Sequence, residues 1–82
     1  MDTYRDQDGT LISAVQWFPN SDSGDDAVWS DRDGKNANRP YVITVNNERA
    51  YLESGDWIIA EQKRGYFRVC KPDRFNDLYT PV

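Results

Sequence analysis

Fourteen carboxylates, one thiol and no histidine set the chemistry open to this chain of 82 residues. Without an imidazole there is no ready general base, no neutral nitrogen ligand and no pH switch near neutrality. Cys70 therefore lacks a partner to take its proton. Lys71 beside it lowers a thiol pKa only slightly, and a cysteine in a strand-like stretch ahead of Pro72 reads as a packed residue. Asp6-Gln7-Asp8-Gly9 and Asp31-Arg32-Asp33-Gly34 look like the openings of calcium loops. Such loops need an acid five residues before the glycine and a glutamate six after it. Those places hold Tyr4 and Val15 in one case, Trp29 and Pro40 in the other, so both read as Asp-Gly turns. No glycine-rich phosphate loop occurs, and a chain this short has little room for a carboxylate-dyad cleft besides its core. A binding protein is expected, not an enzyme, with neither metal nor cofactor.

The residues best placed to bind are acids gathered about one tryptophan. Asp22, Asp25, Asp26, Asp31 and Asp33 surround Trp29, and Arg32 is the one base among residues 20–33. Over residues 1–33 eight Asp face two Arg, a balance of −6; over residues 34–82 six acids face eight bases, a balance of +2. A solvated loop accounts for such a run, and so does a negative patch turned toward a basic partner. Trp29 reads equally as a staple for the loop or as an exposed anchor, since Trp is frequent among binding hot spots. These six residues form the expected partner-binding set. Arg64 and Arg68, within the basic group Lys63, Arg64, Arg68, Lys71 and Arg74, are the secondary candidate, against the plainer reading of a solvated hairpin face. Direct nucleic-acid binding is not expected, because neutralising phosphates takes a field of Lys and Arg.

Short β elements must position these groups. Leu11 to Phe18 reads as a strand with Leu11, Val15 and Trp17 on one face, ended by Pro19. Residues 19–40 or so form a long loop, a length that is often functional. Tyr41 to Val45 alternates, Asn46-Asn47 turns, and Ala50 to Leu52 pairs back as a hairpin. Trp57 to Ala60 is apolar on both faces, as a central strand is. Lys63-Arg64-Gly65 turns the chain and Tyr66 to Cys70 returns. Pro72 suits the first position of a short helix with Asp73 beside it, and Phe75, Leu78 and Tyr79 share one helical face. Pro81 is expected to stop that helix. The fold expected is mainly β, about five short antiparallel strands as a small barrel or curled sheet with a short C-terminal helix, in a single domain spanning 1–82. Trp17 and Trp57 are expected in the core.

At this length a single core leaves only ~3–5 kcal/mol of net stability, so large rings are the economical filling. No apolar run approaches the ~20 residues that span a bilayer, and residues 1–20 lack an apolar signal core, so no secretory peptide is expected. A lone cysteine gives no sign of an oxidising compartment.

Gly55-Asp56-Trp57-Ile58-Ile59, Gly65, Cys70-Lys71-Pro72-Asp73, Phe75, Tyr79 and Pro81-Val82 resemble the closing segment of small bacteriophage and prophage proteins, the PGDYG group. Tyr4-Arg5 and Ala14-Val15-Gln16-Trp17 are similar to the opening of those proteins, so the likeness spans nearly all of the chain except residues 18–40. Ser54 stands where that group has proline, Asp6-Gln7-Asp8 replaces a basic proline-containing stretch, and residues 20–39 look like an insertion. The group has no biochemical function to carry over. The resemblance implies a phage accessory gene acting in a host bacterial cytoplasm, and proteins of that kind often block a host protein. The function expected is a phage-encoded inhibitor or modulator of a host system, an anti-CRISPR-type inhibitor being one form. Its acidic surface would meet a host protein or ribonucleoprotein complex with a basic surface. A virion or morphogenesis component, and a small-ligand module with a pocket near Trp57 and Tyr66, are the alternatives. Target, host and oligomeric state stay open.

Overall fold

A computed structural model describes residues 1–19, 28–30 and 40–82. Its elements, in chain order, are β1 (Asp2–Arg5), β2 (Leu11–Gln16), β3 (Trp29–Ser30), β4 (Pro40–Ile43), β5 (Arg49–Tyr51), β6 (Trp57–Ala60), β7 (Phe67–Cys70), α1 (Pro72–Leu78) and β8 (Thr80–Pro81). Five strands form one antiparallel sheet in the order β7-β6-β2-β1-β8, and three form a second in the order β3-β4-β5. The larger sheet is open, with β7 and β8 as its edges, so the chain takes the curled form and not the closed barrel.

The strand with apolar residues on both faces, β6, lies between β7 and β2 and serves two cores. Successive side chains of a strand point to opposite faces. Ile58 thus joins Trp17, Val42 and Leu52 between the two sheets, while Ile59 joins Ala14 and Phe75 beneath the helix. Each isoleucine is buried, a gain of ~1.5–3 kcal/mol apiece. Val28 packs on the first core, and its neighbour Trp29 pairs with Tyr41. The middle of the expected long loop is therefore a two-residue strand. In the sequence Ala27-Val28-Trp29 is a three-residue apolar run between polar stretches, too short to show a period.

Among the described residues, glycine or asparagine turns close three hairpins and one connection between the sheets. Asp6 Oδ1 accepts from the Asp8 and Thr10 amides at 2.9 and 2.8 Å, closing the β1–β2 hairpin with Gly9 at φ 84°. The expected Asn46-Asn47 turn joins β4 to β5, with Asn47 at φ 61°. Gly55 at φ 92° and Gly65 at φ 89° complete the set.

Three expectations are corrected. The helix does not run to Pro81: it ends at Leu78, Tyr79 is extended, and Thr80–Pro81 pairs with β1 as an edge strand. The residue before a proline favours extended backbone, so Thr80 leaves the helix before Pro81 is reached. Leu11 shares the face of Val15 and Trp17 but is exposed, lining a groove instead of the core. Trp57 is half-buried, stacked on Phe75 at 3.8 Å between ring centroids and 1° between planes.

Candidate functional site

Trp29 is the member of the expected binding set that lies within the described residues; Asp22, Asp25, Asp26, Asp31 and Asp33 lie outside them. Because Val28 faces the core, strand alternation turns Trp29 outward. Its side chain is 61% exposed. Trp29 pairs in register with Tyr41, and Tyr41 with Tyr51, so three aromatic residues run across the outward face of the smaller sheet. The Tyr41 and Tyr51 rings meet edge-on at 5.7 Å, and the Arg49 guanidinium lies 4.8 Å from the Tyr41 ring centre. Tyr41 is itself buried and Tyr51 half-buried, so the indole is the most accessible part of this row. The stretches 20–27 and 31–39, which carry the five acids, flank β3 in sequence.

The secondary candidates and the basic residues around them each have their own surroundings. Arg64 is exposed on the β6–β7 turn. Arg68, on β7, donates from Nη2 to the Tyr79 hydroxyl at 2.7 Å and sits 3.6 Å from Glu61. Lys71, at the far end of β7 from Arg64, reaches Asp56 at 3.2 Å and Glu53 at 3.3 Å. Lys63 stands 4.8 Å over the Tyr66 ring. Internal partners thus occupy much of this positive charge.

Gly55, Asp56, Trp57, Cys70, Lys71, Pro72 and Phe75 converge on one structural knot. The Asp56 amide donates to the Glu53 carbonyl at 3.0 Å, and Gly55 occupies the third position of that turn. Asp56 is 1% exposed; its carboxylate accepts from the Glu53 amide at 2.9 Å and from Lys71. The Trp17 amide donates to the Asp56 carbonyl at 2.7 Å, and Gln16 Nε2 to the Gly55 carbonyl at 3.0 Å. A side chain at Gly55 would meet Pro72. Tyr4 packs edge-on against both Trp57 and Phe75, at 5.4 and 5.1 Å, and Tyr79 tilts onto Phe75 at 4.9 Å. Burial raises the Cys70 thiol pKa, so it stays protonated and weakly nucleophilic. Every one of these contacts positions backbone or fills core; none opens a cleft around a reactive atom.

A concavity among the described residues is lined by neither Trp57 nor Tyr66, although its wall residues Glu61 and Lys63 contact Tyr66. It lies between the ends of β2 and β6, a groove of about 560 Å³ that the sequence reading missed. No local signal marks it, because it depends on two strands separating. Among the described residues no three Cys, Asp or Glu side chains gather as a metal site, and no helix is long and apolar enough to cross a membrane. Comparison with family models, curated proteins and solved structures finds no match to this chain.

Proposed function

We propose that this chain is a small binding protein that inhibits or modulates a host system by occupying a basic surface on a host protein or ribonucleoprotein complex. Trp29 is the anchor, and Asp22, Asp25, Asp26, Asp31 and Asp33 steer the approach. The observation that carries this reading is the exposure of Trp29, 61%, on a strand whose neighbour Val28 is packed inward. A large ring held outward by a paired strand loses less entropy on binding than one on a free loop. An acidic surround raises the association rate with a cationic face. The resemblance to phage and prophage proteins supports a bacterial cytoplasmic target, with a CRISPR-type defence complex as one form of it.

The test is a pull-down from bacterial lysate with the wild-type chain and with Trp29→Ala, read by mass spectrometry at low and high salt. A basic host complex held at low salt, released at high salt and lost with the variant is the expected result. Identical proteins retained by both chains would move the interface away from Trp29. Copurification with phage particles would favour a virion role instead.

A further inference from the structure

The ladder between β2 and β6 stops early. It runs Gln16 to Trp57, Val15 to Ile58 and Ala14 to Ile59, and goes no further. Beyond that point Leu11, Ile12 and Ser13 stay paired with β1, while Ala60 stays paired with Phe67 of β7. Each strand keeps its outer partner while the pairing between the two ends. The groove of about 560 Å³ fills the opening, with Leu11, Ile12 and Ser13 on one wall and Ala60, Glu61 and Gln62 on the other. Its volume falls within the roughly 300–1,000 Å³ usual for ligand sites.

The walls are electrically balanced. Asp6, Glu61, Lys63 and Arg68 all line the groove, two acids against two bases. Each is already engaged: Asp6 with the Asp8 and Thr10 amides, Glu61 with Arg68, Arg68 with Tyr79, and Lys63 with the Tyr66 ring. No net field remains to hold a charged ligand. Apolar surface, by contrast, is open, since Leu11 is 59% and Val45 46% exposed at this site.

We propose that this groove takes an extended, uncharged peptide segment of a partner protein, inserted as a short strand between the parted ends of β2 and β6. A sheet opening with a strand on each side is completed by a third backbone, the principle of strand addition. Three residues of guest strand span ~10 Å at ~3.3 Å each, the length of the Leu11–Ser13 wall. Leu11 lies on the side of the smaller sheet and Ile12 on the side of the helix, by strand alternation. Guest residues on the first side meet Leu11 and Val45 and are best β-branched and apolar. Residues on the second side share the face of Arg68 and are best hydroxylic. The site is separate from Trp29 and stands or falls independently of it.

The test is a titration of the ¹⁵N-labelled full chain with acetyl-Thr-Val-Thr-Val-amide, followed by amide shifts. Saturable shifts centred on Leu11, Ser13, Ala60 and Gln62 are expected. They should be retained in Trp29→Ala and weakened about tenfold or more when Leu11→Lys is combined with Val45→Lys. Both substituted side chains are exposed, so the fold survives their change, and the unperturbed spectrum of the variant verifies this. Absence of shifts at those amides up to millimolar peptide would overturn the proposal, as would unchanged binding by the double variant. Equal binding of acetyl-Asp-Val-Asp-Val-amide would overturn the choice of an uncharged guest.

Discussion

Phe75 shows how much of this small domain rests on single residues. Its ring is 2% exposed, stacks on Trp57, and touches Tyr4 and Tyr79. Phe75→Ala should cost ~3–5 kcal/mol, about the whole net stability of a core this size (~3–5 kcal/mol). The variant should lack a cooperative melt by circular dichroism; a midpoint within a few degrees of wild type would refute this. Cys70 and Lys71 make a second prediction, on pH. Burial raises the Cys70 thiol above 9.0, and hydrogen bonds to Asp56 first and Glu53 next raise Lys71 above 10.5. Both folded values lie above the unfolded ones. Each contribution is therefore complete below the unfolded value and is lost as pH rises through the folded one. Urea midpoints should hold level through neutrality and fall above pH 9.0, and Cys70→Ser should postpone the fall toward the range of Lys71. A decline beginning at neutral pH would contradict both assignments.

Among the elements, the turn Glu53–Asp56 offers the sharpest test. Its closing amide bond and the positive φ of Gly55 in third place are the pattern of a type II turn. Such turns favour proline in second place, where Ser54 stands. Ser54→Pro should stabilise the chain by ~0.4–1 kcal/mol through the unfolded state. Gly55→Ala should destabilise it by at least ~1–2 kcal/mol, because a Cβ resists left-handed backbone. Thermal melts of the two variants should shift in opposite directions; a shift in the same direction would reject the turn type. This turn also carries the buried Asp56, so its geometry supports the seat of β6 and the docking of α1 on the sheet. The helix has no side-chain cap at its start and only seven residues, which leaves packing through Phe75 to hold it.

For the whole molecule, the question is whether charge and the exposed indole act together. If the proposed basic partner is bound through this loop, replacing Asp25, Asp26, Asp31 and Asp33 with Asn should slow association with it and flatten the salt dependence, while the melting temperature stays level or rises. Trp29→Ala should change stability by no more than ~0.5 kcal/mol, since the ring is largely exposed. It should weaken binding by about 2 kcal/mol, or roughly thirtyfold, through a faster off-rate. Stopped-flow and surface-binding kinetics separate the two effects. An unchanged on-rate for the Asn variant at low salt would shift the interface to Arg64 and the β6–β7 turn.

Much of this architecture is written locally. Alternation in Leu11–Gln16, the doubly apolar Trp57–Ala60, Asn47, Gly55 and Gly65 at left-handed backbone, and Pro72 ahead of Phe75 each act through a few neighbouring dihedrals. Their elements were therefore legible without the fold. The absence of histidine was equally plain and bounded the chemistry. Strands such as Trp29–Ser30 and Thr80–Pro81 were not legible, because two residues have no period and exist as strands only when Tyr41 or Tyr4 supplies the ladder. Asp2–Arg5 is mostly polar and exposed, an edge strand defined by its pairing with β2. The same holds for function. The sequence singled out Trp29 but left it divided between staple and anchor; packing of Val28 turned it outward. The groove lay beyond any sequence signal, since it forms where β2 and β6 follow different partners, and that divergence belongs to the register of four strands together.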